Sequence, residues 1–138
     1  GMAVARMADL KVAFISGRFS KATEARAKEL KIQDVYNGTL NKLIPYEALK
    51  KKYQLDDDEI AFIGDDMIDM PVMEKVGTAI SVSDAYPLVK ELAVYVTEKA
   101  GGEGAFREAV DWILKEQGRY EDVLIQLREA VSTFNNEE

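Results

Sequence analysis

The stretch AFIGDDMIDMP, residues 61–71, joins an apolar strand pattern to three closely spaced carboxylates. Its apolar residues are continuous rather than alternating, which is typical of a parallel strand covered on both faces. Asp65 and Asp66 follow the strand directly, and Asp69 precedes Pro71, a residue suited to the first turn of a helix. Because like charges repel, carboxylates crowded at a strand end favour a bound cation over the alternative, an exposed acidic turn. An all-oxygen cluster favours a hard ion such as Mg²⁺.

Short apolar runs recur along the chain, and five of them are predicted as strands: residues 11–16, 34–38, 59–64, 78–82 and 93–97. Amphipathic patterns between and after these runs predict helices: residues 21–30, 42–53, 69–76, 84–92, 103–117 and 119–133. This alternation predicts an α/β fold, a Rossmann-like parallel sheet with helices on both faces. We expect an α/β domain over residues 1–120, followed over 121–138 by a C-terminal helix whose last residues are frayed.

Composition limits the chemistry that the chain can perform. The 138 residues are 47% hydrophobic, enough for one domain with a core, and the net charge of −7 opposes a broad nucleic-acid-binding surface. There is no cysteine and no histidine, which excludes disulfides, thiolate zinc sites and a Ser-His-Asp triad. No apolar run approaches the length of a membrane span and no secretory signal is visible, so we expect a cytoplasmic protein.

A second motif, ISGR, follows the first predicted strand. Ser16 supplies a hydroxyl, Gly17 lets backbone N–H groups face a ligand, and a helix N-terminus follows, which together predict an anion-binding turn. An ordinary strand-to-helix turn with surface arginines is the alternative. Arg26 lies eight residues after Arg18, so the two side chains would share a helix face if the helix began at Arg18.

Three further stretches carry charged or glycine residues that a ligand site could use. Lys42 stands at a predicted helix start, where a cation opposes the helix dipole, so we interpret it either as a required cation or as a surface lysine. AGGEGAFRE, residues 100–108, is a glycine-rich loop that leads to Arg107, or else a flexible connection. LDDDE, residues 55–59, precedes a strand, and we interpret it as a solvated turn.

Taken together, ISGR, the lysine in NKL, and GDDMIDMPVMEKVG resemble motifs II, III and IV of the haloacid dehalogenase superfamily. The similarity covers residues 1–120 and is nearest to the small capless branch of 3-deoxy-D-manno-octulosonate 8-phosphate phosphatases. The resemblance implies a Mg²⁺-dependent phosphomonoester hydrolase in which Ser16 and Lys42 bind the transferring phosphoryl group. It also implies that Asp65 ligates Mg²⁺ and that Asp69 is a supporting carboxylate.

The glycine-rich stretch at residues 100–108 is similar to the C-terminal signature of that branch, which helps to close an active site. By the same resemblance, the residues that grip the sugar acid are Gly17, Arg18, Arg26, Gly101, Gly102 and Arg107. The implied substrate is a phosphorylated sugar acid such as 3-deoxy-D-manno-octulosonate 8-phosphate, a precursor in lipopolysaccharide synthesis. Related capless phosphatases act on other nonulosonate phosphates. The full-length family protein is typically a homotetramer, with no nucleic-acid or membrane partner implied.

The chain departs from the family pattern at its start. Family catalysis uses a strand ending in Asp-x-Asp, whose first Asp forms an aspartyl-phosphate that water then cleaves. The only Asp-x-Asp in this sequence, Asp56 to Asp58, lies before a strand, and GMAVARMADLKVAFISGR matches the family's first helix after its β-hairpin. We therefore expect an N-terminally truncated, inactive phosphatase. The alternatives are a non-catalytic module that binds a phosphorylated sugar or Mg²⁺, and an oligomerisation module.

Overall fold

The computed structural model of the protein describes residues 2–137, and side chains through residue 132. The α-helices in this part of the chain are α1 Met2–Met7, α2 Lys21–Glu29, α3 Leu43–Tyr53, α4 Met70–Met73, α5 Pro87–Leu92, α6 Ala105–Glu116 and α7 Tyr120–Glu137. The strands are β1 Ala13–Ser16, β2 Asp34–Asn37, β3 Ala61–Gly64, β4 Thr78–Ser81 and β5 Tyr95–Val96. Single 3₁₀ turns cover Asp57–Glu59 and Met67–Asp69. The C-terminal tail predicted to be frayed comprises residues 134–138, whose side chains lie outside the described part of the structure.

The predicted α/β class and the parallel strand direction are confirmed, but the sheet is divided. Strand β1 pairs in parallel with β2, and β3 pairs in parallel with β4, which in turn pairs with β5. No ladder joins β1 to β3 within residues 2–137. Ile15 of β1 and Ile63 of β3 instead line one cavity, so the expected continuous sheet is interrupted by a gap between these two strands.

The local start and stop signals act largely as predicted. Ser20 caps α2, where its hydroxyl accepts a hydrogen bond from the Thr23 amide at 3.3 Å. Pro87 opens α5, and Gly118 adopts a φ of +69° between α6 and α7. The predicted helix over residues 69–76 was wrong in its extent, because Asp66 caps a separate 3₁₀ turn before the four-residue helix α4.

Two clusters of buried apolar side chains hold the helices in place. One joins α1 to α6 and α7 through Val4, Ala5, Ala8, Val110, Leu114 and Val123. The other lies beside β4 and contains Met73, Ala79, Val82, Ala85, Val89 and Ala105. Burial of this apolar surface supplies the main free energy of folding. Within the described residues, no helix is both long enough and apolar enough to cross a membrane.

Replacement of Gly77 by alanine is expected to lower the free energy of unfolding by about 1–3 kcal/mol, the usual cost of overpacking. A Cβ atom there would lie 2.5 Å from the Asp58 Cα and 3.0 Å from the Asp57 carbonyl oxygen, and backbone atoms cannot move aside cheaply. Gly101→Ala is the control, because its added Cβ would meet nothing closer than 3.7 Å. Urea denaturation of both variants checks the prediction, which fails if the two lose equal stability.

Candidate functional site

The loops that follow β1 and β3 meet at one cavity of about 510 Å³. It opens at the carboxyl ends of these strands, the edge of a parallel sheet where ligands generally bind. Apolar side chains, including Ile15, Ile63 and Val82, form part of its wall. Its polar lining consists of residues predicted from the sequence: Ser16, Gly17, Arg18, Lys42, Asp65, Asp66 and Asp69.

A buried ion pair between Lys42 and Asp69 lies in the lining of the cavity. The two residues are 8% and 1% exposed, and Lys42 Nζ lies 2.6 Å from Asp69 Oδ1. That oxygen accepts no hydrogen bond of good geometry, so the lysine charge is its main compensation. Burial alone would raise the pKa of the Asp69 carboxyl, but Lys42 and the Asp65 amide outweigh it and hold that pKa below its usual value.

Asp69 also shapes the loop that carries the other two acids. Its Oδ2 accepts hydrogen bonds from the backbone N–H groups of Asp65, at 2.9 Å, and Asp66, at 3.2 Å. Asp66 in turn uses its Oδ1 to accept a hydrogen bond from the Met67 amide at 2.7 Å, so it caps the 3₁₀ turn. Asp69 therefore holds the backbone of the loop that carries Asp65 and Asp66.

The Asp65 carboxyl is placed where its negative charge is disfavoured. Partial burial, a hydrogen bond shared with Asp69, and repulsion from Asp69 and Asp66 together raise the pKa of Asp65 above its usual value. A cation beside Asp65 would reverse this penalty. The Asp65 carboxylate offers oxygen atoms, the ligands that a hard divalent ion such as Mg²⁺ prefers.

The turn after β1 is held close to the turn after β3. Ser16 donates its hydroxyl hydrogen bond to the Arg18 carbonyl oxygen at 2.7 Å, which tightens the turn. A Cβ atom at Gly17 would overlap the end of the Ile68 side chain, so Gly17 and Ile68 bring the two turns into direct contact. The exposed Arg18 lines the cavity as the sequence predicts.

Two predicted arginines lie outside this cavity. Arg26 pairs with Glu29 at 3.4 Å on the exposed face of α2, and Arg107 pairs with Asp111 at 3.2 Å on α6. The predicted shared helix face of Arg18 and Arg26 was wrong, because α2 begins at Lys21 and leaves Arg18 in the preceding loop.

The glycine loop stands next to the cavity rather than in its lining. The Gly101 amide donates a hydrogen bond to Asp84 Oδ1 at 2.9 Å, and a Cβ atom at Gly101 would lie 3.7 Å from the Val82 side chain. Gly102 has a φ of +81°, a conformation that favours glycine. Loop residues thus adjoin the cavity wall through Val82.

A separate group of carboxylates has the spacing of a metal site. Within residues 2–137, the group of three acids with oxygen atoms within 4.8 Å of one another is Asp56, Asp58 and Glu59. All three are exposed, and Glu59 already accepts a hydrogen bond from the Asp56 amide at 3.0 Å. They precede β3, at the end of that strand away from the cavity, as expected for the solvated turn predicted from the sequence.

A model of haloacid dehalogenase-like hydrolases matches residues 5–108 of the chain. The chain belongs to the haloacid dehalogenase-like hydrolases. A curated member of this family, 3-deoxy-D-manno-octulosonate 8-phosphate phosphatase of Escherichia coli strain K12, is 44% identical over 122 residues. The match covers 88% of the chain, which spans 65% of the length of that relative.

Solved structures of family members share the fold. The 3-deoxy-D-manno-octulosonate 8-phosphate phosphatase of Yersinia pestis is 42% identical, with a TM-score of 0.82 over 87% of this chain and 65% of that one. The enzyme of the same name from Moraxella catarrhalis, in complex with a magnesium ion, a phosphate ion and a KDO molecule, is 32% identical. Its TM-score is 0.84 over 91% of this chain and 72% of that one.

Proposed function

We propose that the chain carries the phosphate-binding and Mg²⁺-binding half of a haloacid dehalogenase-like phosphatase. Its proposed substrate is 3-deoxy-D-manno-octulosonate 8-phosphate, the ester named in its relatives. The observation that carries the proposal is the cavity in which Ser16, Lys42, Asp65 and Asp69 meet, with Lys42 2.6 Å from Asp69. A cytoplasmic location, a homotetramer and a role in lipopolysaccharide synthesis stay predictions.

The chain's own residues suit a transferring phosphoryl group. Lys42 is almost fully desolvated, so its charge acts on a phosphoryl oxygen with little screening by water. Ser16 and Arg18 offer a hydroxyl and a guanidinium on the opposite loop. Asp69 orients the lysine and the Asp65 loop, and we assign it a supporting role rather than contact with the phosphoryl group.

The acidic loop suits the metal that phosphatases of this family use. Asp65 would hold Mg²⁺, with Asp66 near it in the cavity lining. When bound, the ion would offset the negative charge of the phosphoryl group and of a carboxylate nucleophile. Asp65 would offer its carboxylate oxygens from a backbone position that Asp69 holds.

The gap in the sheet supports the proposal that a further strand completes the catalytic site. Strands β1 and β3 line the same cavity without pairing, so each presents an unpaired edge to it. An extended segment between them could hydrogen-bond to both edges and deliver carboxylates beside Asp65. Within residues 2–137, no Asp-x-Asp follows a strand, so we propose that the chain alone does not turn over the ester.

Phosphate release from 3-deoxy-D-manno-octulosonate 8-phosphate tests the proposal. We expect no Mg²⁺-dependent release from the 138-residue chain. We expect measurable release from a chimera in which the preceding amino-terminal part of the Escherichia coli relative is fused to Gly1. The matched control is the chimera carrying Lys42→Met, which should lose activity by a factor on the order of 10² or more. Equal rates for the chain and the chimera would contradict the missing-strand proposal.

A non-catalytic binding module is the second candidate, and the divided sheet is the observation that favours it. The same chimera separates the two candidates. If the chain binds inorganic phosphate in a calorimetric titration but a folded chimera shows no turnover, the binding module is the better description. Turnover in the chimera supports the phosphatase.

A further inference from the structure

Glu108, in the first turn of α6, makes a dense set of contacts that the proposed reaction does not use. Its carboxylate accepts hydrogen bonds from the Glu98 amide at 2.8 Å, from the Lys99 amide at 3.0 Å, and from the Tyr95 hydroxyl at 2.5 Å. Burial alone would raise the pKa of Glu108, but these donors lower it below its usual value. The carboxylate therefore holds the backbone that follows β5 through these hydrogen bonds.

These contacts set the entrance of the glycine loop. Past Lys99, the Gly101 amide is held by Asp84 Oδ1 at 2.9 Å, and the Lys99 carbonyl accepts a hydrogen bond from the buried Thr97 hydroxyl at 2.6 Å. The loop is therefore fixed at its start and at Gly101. A Cβ atom at Gly102 would meet nothing within 4 Å, so the next part of the loop is left open.

The fixed part of the loop stands against the candidate site. Gly101 lies beside Val82, and Val82 lines the cavity that contains Lys42 and Asp65. A phosphoryl group held by Ser16 and Lys42 would leave the remainder of a larger ligand to extend toward the cavity mouth. The loop borders the cavity wall at Val82, where such a remainder would meet it.

We propose that Glu108 is a positioning residue for sugar-acid recognition, an inference that rests on the proposed function. Its carboxylate fixes the glycine loop beside the cavity, so that the loop loses little conformational entropy when it binds the ligand. The acid acts through the Glu98 and Lys99 amides and does not touch the phosphoryl group. Trp112, the single tryptophan, stacks on Tyr95 with their ring centroids 4.8 Å apart. Its fluorescence therefore reports on the contacts of Glu108 through Tyr95.

The test compares Glu108→Gln with Glu103→Gln in the full chain. Glu103 is an exposed acid of the same loop, so both substitutions remove one charge. We expect Glu108→Gln to speed hydrogen exchange of the amides of residues 98–101 by about tenfold and to change Trp112 fluorescence. We expect it to weaken binding of 3-deoxy-D-manno-octulosonate by about tenfold, with binding of inorganic phosphate unchanged. Glu103→Gln should change neither.

Each outcome decides between distinct conclusions. Equal loss of sugar-acid and phosphate binding in Glu108→Gln would show general destabilisation and overturn the positioning role. Unchanged sugar-acid binding in Glu108→Gln, with a wild-type chain that binds both probes, would overturn this inference and leave the proposed function standing. A wild-type chain that binds neither probe would overturn both. Tyr95→Phe is the second variant, for use if Glu108→Gln folds poorly. It keeps the ring stack and the contacts of Glu108 with the backbone amides, so it should retain sugar-acid binding.

Discussion

Replacement of Lys42 by methionine is expected to lower the free energy of unfolding by about 3–5 kcal/mol, the usual cost of removing one partner from a buried ion pair. Methionine retains much of the apolar stem, so the main loss is the charge 2.6 Å from Asp69 Oδ1. Asp69 is 1% exposed and would be left as a buried carboxylate without its compensating cation. Urea denaturation at pH 7 measures the loss.

Two controls identify the cause of that loss. Lys51→Met removes an exposed lysine from α3, the helix that Lys42 precedes, and should change stability by less than about 0.5 kcal/mol. The double variant Lys42→Met with Asp69→Asn should recover part of the stability, because it removes the orphaned charge as well. The pair is not coupled if Asp69→Asn lowers the stability of the Lys42→Met variant by as much as it lowers the stability of the wild type.

Asp65→Asn is expected to act in opposite directions on stability and on function. At pH 7 the variant should be more stable than the wild type, because it removes a charge that burial and Asp69 disfavour. In the active chimera it should lower Mg²⁺-dependent turnover by a factor on the order of 10²–10³, since Asp65 is the proposed metal ligand. Denaturation midpoints and rates of phosphate release measure the two effects.

The pH dependence of this stability difference follows from the raised pKa of Asp65. A group whose pKa is higher in the folded state stabilises the fold while it is protonated, and that contribution is lost as pH rises through its folded pKa. The gain in Asp65→Asn should therefore be largest at neutral pH, shrink as pH falls through the raised folded pKa, and be absent below about pH 4, the ordinary pKa of an aspartate. Asp58→Asn, at an exposed acid, is the matched control. A gain of equal size in Asp58→Asn would indicate only a lower net negative charge.

The sequence was informative where local rules decide the structure. Strand positions followed from short apolar runs, and the Ser20 cap and the Pro87 helix start followed from the chemistry of first turns. The convergence of Ser16 and Asp65 followed from the rule that loops at the carboxyl ends of parallel strands share one edge. Each inference needs only neighbouring residues and a single topological rule.

Features that depend on distant contacts were not predictable in the same way. The division of the sheet depends on which strands are neighbours in space, which no local pattern encodes. The shared helix face of Arg18 and Arg26 required a helix that begins at Arg18, and the observed start of α2 at Lys21 removes that condition. No local pattern predicts the contacts of Glu108, because its partners lie nine to thirteen residues earlier, although an acid in a first turn after a glycine loop is a usable signal.

The Lys42–Asp69 pair has a mechanical consequence beyond the cavity. Lys42 follows β2 in the two-stranded part of the sheet, whereas Asp69 follows β3 in the three-stranded part. This one ion pair therefore clasps the two parts together on the side where ligands enter, with the close contact of Gly17 and Ile68 beside it. The same two side chains therefore contribute both to the electrostatics of the cavity and to the contact between the two parts of the sheet, which the pairs Lys50–Asp57 and Lys75–Glu47 also join.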